Sequence, residues 1–447
     1  MGPKVSNAAS EHDLFRMELV NLLDQRHELI KLAGLIDWQA FAEAWGPKFE
    51  STTGRPALPT RLMASLLYLK HTYALSDEEV VLRWVENPYW QHFSGERYFR
   101  HELPCDSSSL VRWRQRIGEE GCEWLLEHSI KAAQAAGVLK RHSLSTVVVD
   151  TTVQPKAIAH PTDSRLLNRA REQLVGAAQD AGIELRQSYA RVGKKAEAQA
   201  GRYAHAQQWR RMRREIRRLR TWLGRVIRDV QRKAGGITGA LKSKIELAQR
   251  LYEQRRESKN KLYALHAPEV ECIAKGKART PYEFGVKVSV AVTAKEGVVV
   301  GMRSMPGSPY DGHTLQSQLE QVEILTGVRP SMALADRGYR GAEPPEGVKL
   351  LISHTRRLPR SLKKLLRRRQ AIEPTIGHMK TDGLLARNWL KGSDGDAIHA
   401  VLCGAGHNLR LILAHLRVLL LALIGLLALA ASMLMPRMQA RQLSSTA

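Results

Sequence analysis

This sequence has no paired cysteines and no apolar segment near its start. It also has too few acidic residues to balance its basic ones. The 4 cysteines are scattered without a C-x-x-C pair, so the sequence encodes neither a zinc ribbon nor a disulfide framework. The first part of the chain lacks the apolar core that a secretory signal needs. Both observations predict a protein of the reducing cytosol.

The shortage of acidic residues leaves a strongly basic chain. Its 447 residues include 69 Lys+Arg and 44 Asp+Glu, a formal net charge of +25. Basic side chains that neutralise phosphates release condensed counterions, so this excess favours a polyanionic partner, with nucleic acid as the first expectation. The hydrophobic fraction of 43% is that of an ordinary globular protein, and the length suggests two or three domains.

The first 140 residues are predicted to be helical, because apolar residues recur at helical spacing through two long stretches. Residues 106–117 begin with Asp-Ser-Ser-Ser, which favours a helix start, and continue with Arg112, Trp113, Arg114 and Arg116. Two interpretations of this short helix stay open. It is a recognition helix that holds DNA, or it belongs to a helical bundle with solvated arginines.

Short apolar runs later in the chain are predicted to be strands. They cover residues 145–149, 284–292, 298–304, 331–335 and 348–352. The first run ends at Asp150 and the fourth at Asp336, so two carboxylates are expected to terminate two strands. Helices are predicted between the third and fourth runs and from residue 361 onward. Strands mixed with helices in this order indicate an α/β fold.

A long basic segment separates the first two predicted strands. Residues 202–233 contain eleven Arg and one Lys against two acidic residues. Apolar residues step by 3 and 4 through Trp209, Met212, Ile216, Leu219, Leu223, Val226 and Val230, which is a heptad seam. We expect a helical hairpin with residues 245–262, inserted into the sheet domain. Because like charges on one helix repel, we favour phosphate contacts over a solvated face, through Arg210, Arg213, Arg217 and Arg220.

Glu373 is a third candidate carboxylate. Enzymes that cut and join DNA strands use two divalent cations about 4 Å apart, and Mg²⁺ prefers oxygen ligands. On a continuous helix Arg369 and Lys380 would lie on the same face as Glu373, where they could hold phosphate or orient the carboxylate. An ordinary helix salt bridge between Arg369 and Glu373 is the alternative. Pro374 implies either a kink at Glu373 or a new helix from Pro374.

Six motifs between residues 75 and 341 carry a resemblance to a known family. They are Leu-Ser-Asp-Glu-Glu-Val at 75–80, Asn-Pro-Tyr-Trp at 87–90, His-Glu-Leu-Pro at 101–104, Tyr-Glu-Phe-Gly at 282–285, Pro-Tyr-Asp-Gly-His at 309–313 and Asp-Arg-Gly-Tyr-Arg-Gly at 336–341. From about residue 35 to residue 416 the chain resembles the DDE transposases of bacterial insertion sequences, in the insertion-sequence-five family.

The resemblance implies an RNase H-like catalytic domain with a mixed sheet, and Asp150, Asp336 and Glu373 as a DDE triad that binds two Mg²⁺, for which Mn²⁺ can substitute. The family's signature Tyr-x₂-Arg-x₃-Glu-x₆-Lys matches Arg369, Glu373 and Lys380, with Leu366 in the tyrosine position. The long insertion also follows Asp150 rather than Asp336. No role is carried over to Leu366.

Other polar residues are expected to be structural. Mg²⁺ prefers oxygen, and the sequence contains no H-E-x-x-H motif, so His160, His313, His378 and His407 are not predicted as ligands. Asp311, in Pro-Tyr-Asp-Gly-His, is explained by a turn.

The apolar run at residues 418–435 is at the short limit for a membrane span. The favoured interpretation continues the preceding helix, packed on the domain or on a second protomer. A membrane anchor is the alternative.

We therefore predict five segments: an N-terminal helical DNA-binding domain (1–140), the first catalytic strand region (141–162), an arginine-rich helical insertion (163–280), the rest of the catalytic domain (281–416) and an apolar C-terminal helix and tail (417–447). The expected function is Mg-dependent cleavage and strand transfer of DNA, with terminal inverted repeats and target DNA as partners. We expect a homodimer on DNA in the cytoplasm, associated with the nucleoid. The rival interpretations are a catalytically inactive DNA-binding descendant and a membrane-associated basic protein.

Overall fold

The computed structural model describes residues 17–49, 56–234, 239–275, 281–353 and 359–444, with side chains described up to residue 422. Its helices are α1 (Leu19–Leu22), α2 (Glu28–Leu35), α3 (Trp38–Phe49), α4 (Thr60–Thr72), α5 (Asp77–Glu86), α6 (Pro88–Phe93), α7 (Ser107–Ala135), α8 (Asp163–Asp180), α9 (Ala190–His205), α10 (Trp209–Lys233), α11 (Gly239–Glu253), α12 (Asp311–Thr326), α13 (Arg360–Arg367), α14 (Ile372–Thr381) and α15 (Gly392–Ser444). Its strands are β1 (Thr146–Pro155), β2 (Glu271–Ala274), β3 (Tyr282–Thr293), β4 (Val299–Met305), β5 (Met332–Ala335) and β6 (Lys349–Ile352).

The strands form one mixed sheet. β1 lies at its centre, antiparallel to β3 on one side and parallel to β5 on the other, and β6 continues the parallel part beyond β5. On its other side β3 pairs with both β2 and β4, again antiparallel. The expected α/β class with a mixed sheet is confirmed.

Two strands differ from the sequence prediction. The apolar run before Asp150 was expected to end the first strand there, but β1 continues to Pro155, because Asp150 through Pro155 all pair with β3. The backbone hydrogen bonds to β3 therefore continue the strand through polar residues that were expected to end it. β2 was not predicted, since a four-residue strand at the edge of a sheet has too short a pattern to detect.

The helices before residue 140 and the sheet share a single hydrophobic core, and α15 runs through it against α4, α7 and β4. One amide ties these elements together: Asn408 accepts a hydrogen bond from the backbone N–H of Val299 at 2.8 Å and donates to the Val299 carbonyl and to Ser129 Oγ. α7 starts where the sequence predicts, with Asp106 accepting from the Ser108 N–H. Gly118, with φ of 67°, kinks this helix.

The insertion after β1 is a four-helix unit and not the hairpin expected from the seam. α10 packs against α8 and α9 as well as α11, and the four helices enclose a second hydrophobic core. The seam is buried at Leu219, Leu223, Val226 and Val230, whereas Trp209 at its start is 50% exposed. Leucines of α8 also pack against the seam of α10. The heptad pattern of α10 does not show that this helix covers it.

The apolar run at 418–435 continues the long helix α15. Within the part of the chain that the structure describes, one segment, Gly392–Ala422, is long and apolar enough to cross a bilayer, and 83% of its most apolar window is buried inside the protein. This burial is typical of the core helix of a globular protein. The side chains of the run beyond residue 422 lie outside the described ones.

Candidate active site

Asp150 and Asp336 are brought together by the register of two parallel strands. β1 and β5 pair Val148 with Leu334, and each aspartate follows two residues later, so both side chains lie at the same level of the sheet. Asp336 follows the last residue of β5 and caps a short 3₁₀ turn, where its carboxylate accepts the Gly338 N–H at 2.8 Å.

The pKa of Asp150 is raised to about 6. Burial is the main cause, and the nearby charges of Asp336 and Asp311 add to it, while the Thr151 N–H and Arg369 act in the opposite direction. A carboxylate in this position is stabilised by an added cation.

Glu373 is linked to Asp150 through an arginine. It stands in the first turn of α14 with a side chain that is 67% exposed. Arg369, in the 3₁₀ turn just before α14, contacts Glu373 Oε1 at 3.4 Å and Asp150 Oδ2 at 3.6 Å. The guanidinium is therefore shared between two carboxylates, which is more than the simple helix salt bridge considered from the sequence. Since α14 begins at Ile372, Pro374 lies in its first turn, and neither predicted alternative for Pro374 describes it.

A fourth carboxylate, Asp311, belongs to the same cluster and was missed by the sequence analysis. It is the first residue of α12, and its Oδ1 accepts hydrogen bonds from Thr151 Oγ1 and Lys287 Nζ, each at 2.9 Å. A Cβ added to Gly338 would lie 2.8 Å from Asp311 and 2.9 Å from Asp336, so the two carboxylates flank the same small space. The turn predicted around Asp311 is thus a helix start whose carboxylate faces the other aspartates.

One signal in the sequence could have identified Asp311 as a member of the cluster. Lys287 is the one basic residue in an apolar strand, β3, which suggests a buried acidic partner. Tyr339, in the motif after Asp336, is fully buried. Its pKa is raised by burial, with a contribution from the charges of Asp150, Asp311 and Asp336.

The carboxylates of the cluster fit a hard divalent cation by donor chemistry, since all are oxygen donors. Within the described residues, however, no three His, Cys, Asp or Glu side chains are grouped closely enough to hold a metal ion. Arg369 and Lys287 supply the positive charge instead. The histidines are engaged elsewhere: His378 pairs with Asp382, and His407 bonds the Gly297 carbonyl. His160 and His313 make edge contacts with aromatic rings.

The arginines predicted to bind DNA fall into two groups. The first group is exposed and could reach DNA: Arg112, Arg116, Arg210, Arg213 and Arg217. Arg114 is 3% exposed and makes a two-point ion pair with Asp77, so the expectation that it contacts phosphate is wrong. Arg220 is half-buried, and its guanidinium donates to the carbonyls of Tyr252 and Gln254, which engages it in packing. Lys380 is half-buried at the end of α14.

Two family models match the chain. One, described as a transposase domain (DUF772), matches residues 17–116, and the other, described as a transposase DDE domain, matches residues 255–405. The chain belongs to the DDE transposases of insertion sequences. The resemblance inferred from the motifs is confirmed at this level. Asp336 and Glu373 lie inside the matched DDE segment, whereas Asp150 precedes it.

A curated relative is 54% identical to this DDE transposase over 202 residues, which cover 45% of the chain and 97% of the relative. It is an uncharacterized protein, ORF8 in the nfe locus of Rhizobium meliloti. No solved structure matches the chain. The relative therefore supports the family and adds no activity of its own.

Proposed function

We propose that the chain is an active transposase that binds the terminal inverted repeats of its element, cleaves phosphodiester bonds with Mg²⁺ and joins the freed 3′-hydroxyls to target DNA. The observation that carries this proposal is the guanidinium of Arg369 in contact with both Asp150 and Glu373. It links the carboxylate of a central strand to one of a distant helix. A coincidental helix salt bridge would not include Asp150.

The roles of the side chains follow from their surroundings. Asp150, Asp336 and Glu373 would hold the divalent cations, which would supply activation of the attacking oxygen and stabilisation of the leaving oxygen. Arg369 keeps two of the carboxylates in place and offsets their repulsion. Lys287 and Thr151 fix Asp311 beside them.

The proposal also includes the finer architecture and assembly. The sheet, with antiparallel strands on one side of β1 and parallel strands on the other, is compatible with an RNase H-like catalytic domain. Two element ends must be joined to one target, so we propose a homodimer on DNA, working in the cytoplasm at the nucleoid.

Substitution of the triad tests the chemistry. We expect Asp150→Asn, Asp336→Asn and Glu373→Gln each to reduce Mg²⁺-dependent cleavage of a duplex from the ends of the element by more than roughly a hundredfold, because each removes a charged metal ligand. Affinity for the same duplex, measured by filter binding in EDTA, should change little. The duplex is obtained by sequencing the flanks of the gene for inverted repeats.

Asp180→Asn is the matched control, since Asp180 is an exposed acid at the end of α8 and its loss should leave cleavage unchanged. Full activity of any triad variant would remove that residue from the site. Absence of metal-dependent cleavage in the unsubstituted protein, with binding retained, would favour the inactive DNA-binding alternative.

A further inference from the structure

The outer face of α10 carries arginines that have no acidic partner. Arg210, Arg213, Arg217 and Arg228 are exposed, and their guanidinium groups form no hydrogen bond or ion pair with any residue that the structure describes. At 100° per residue the four lie within an arc of about 60°, on the side of the helix away from the buried seam. We call these four residues the arginine face.

The acids of the same helix are already used by other cations. Glu215 is buried and pairs with Arg218 at 2.8 Å, and Asp229 is buried and pairs with Arg232 at 2.9 Å. The backbone N–H of Arg186 also bonds Asp229 and lowers the pKa of that carboxyl. The charge of the arginine face is therefore uncompensated within the described structure.

A groove continues this face. A cavity of about 630 Å³ is lined by four arginines, Arg186, Arg225, Arg228 and Arg232, together with Gln187, Tyr189, Asp229 and Gln231. Arg228 belongs to both the groove and the arginine face, so the two positive surfaces meet at this residue. The loop that contains Arg186 is held against α10 by a hydrogen bond from the Arg186 N–H to Asp229. The groove between this loop and α10 is therefore a defined surface.

We propose that the arginine face binds the phosphate backbone of duplex DNA without regard to sequence. From Arg210 to Arg228 the helix extends about 27 Å, at 1.5 Å per residue, which is most of one turn of a B-form duplex, about 34 Å. The apolar seam packs into the insertion's own core. Gly224, which lies in the same arc, is buried against Tyr252, but the four arginine side chains on either side of it are exposed and can meet a duplex without any change of fold.

Independence from sequence follows from what the face contains. Phosphate contacts by basic side chains position a duplex but do not read it, and between residues 210 and 228 this arc holds the four arginines and Gly224 alone. The surface serves the DNA chemistry proposed above, yet it belongs to a separate core. Its loss should therefore affect affinity and leave the cleavage step intact.

The experiment compares a quadruple variant, Arg210→Gln, Arg213→Gln, Arg217→Gln and Arg228→Gln, with the unsubstituted protein in binding to a long random-sequence duplex in EDTA. We expect affinity to fall by at least roughly tenfold near physiological salt. The slope of log K against log salt should decrease in magnitude by about 3 to 4, at roughly 0.9 per phosphate contact. A duplex from the ends of the element should lose affinity by a similar factor. Cleavage at saturating duplex should be retained.

A second quadruple variant controls for net charge. Arg26, Arg97, Arg169 and Arg329 are exposed arginines, each paired with an acid, and their replacement by Gln removes the same charge but should leave the salt slope nearly unchanged. Replacing the arginine face with Lys should keep most of the binding. An equal loss in both Gln variants, a loss confined to the element ends, or no loss with random duplex would each overturn the proposal. Loss of cleavage with binding intact would instead bear on the triad.

Discussion

Single arginines in this protein have different roles that their sequence context does not reveal. Arg112, Arg114 and Arg116 stand two residues apart on α7, but only Arg114 is directed inward, to Asp77. Arg116 remains exposed over the ring of Phe49. Helical periodicity places Arg114 on a different face from its neighbours, but only the position of α5 in the fold decides that this face meets an acid. The ion pair could not be predicted from the local sequence.

Arg114→Leu should destabilise the protein by about 3 kcal/mol, because removing one partner of a buried ion pair leaves a charge without adequate compensation. Lys70 also contacts Asp77, at 2.8 Å, and retains part of the pairing. Burial opposes ionisation of Asp77, but Arg114 and Lys70 together keep its pKa below the usual value. Urea unfolding measures the effect.

Arg116→Leu is the comparison for Arg114→Leu, since an exposed side chain should change the free energy of unfolding by less than about 0.5 kcal/mol. Equal effects of the two substitutions would contradict a structural role specific to Arg114.

The candidate site was predicted in part at the same scale. Asp150, Asp336 and Glu373 were chosen from strand ends and a family signature, and the structure groups Asp150 with Asp336 and links Glu373 through Arg369. Asp311 was missed because its bonds to Thr151 and Lys287 span more than twenty residues of sequence. These contacts form because β1 pairs with β3 and α12 packs against both strands, so the sequence around Asp311 does not show them.

At the scale of elements, length and composition decided which predictions succeeded. The apolar runs at 284–292, 298–304, 331–335 and 348–352 correspond to β3, β4, β5 and β6 within two residues at either end. The first strand was cut short at Asp150, because a polar residue inside a ladder looks like a strand end. The seam of α10 was found, but its partners were not, since a heptad pattern does not identify the helices that cover it.

The side chain of Asn408 joins α15 to β4 and α7, and its loss should weaken the packing of these three elements. Asn408→Leu removes hydrogen bonds from α15 to both backbone groups of Val299 and to Ser129, and leaves buried polar groups without partners. We expect a loss of about 2 to 4 kcal/mol in the free energy of unfolding. Hydrogen exchange should show the largest loss of protection in β4. The half-buried Gln173 of α8 can serve as a control, since its side chain accepts a hydrogen bond from Lys244 within the insertion, and Gln173→Leu should leave β4 protected.

At the scale of the whole molecule, the most basic helix and the larger hydrophobic core belong to different parts of the protein. α10 has eleven basic and two acidic residues, a net +9 of the chain's +25, and it lies in the smaller of the two main cores. The larger core surrounds α15, and two histidines of this helix, His399 and His407, are buried there. We therefore expect salt to act mainly on binding by the basic insertion proposed above, and pH to act mainly on the stability of the part that contains these histidines.

Burial lowers the pKa of His399 to about 3 and that of His407 to about 4, from the usual value of 6.5 for histidine. The unfolded chain binds protons at these residues once the pH falls below about 6.5, and the folded chain does not, so acidification favours unfolding. The stability contributed by the neutral histidines is present above pH 6.5 and is lost as the pH falls toward 4. Between pH 7.5 and pH 5 the loss should be about 2 kcal/mol for each histidine.

His399→Gln isolates this effect. The ring of His399 bonds the Leu384 carbonyl at 3.0 Å, and a glutamine amide can donate to the same oxygen without titrating. We expect the variant to lose about 2 kcal/mol less than the unsubstituted protein between pH 7.5 and pH 5, in urea unfolding at constant salt. An unchanged pH dependence would mean that His399 is protonated in the folded protein. Asp180→Asn is the control and should not alter the slope, because Asp180 is an exposed residue of α8 in the insertion, whereas His399 lies in α15.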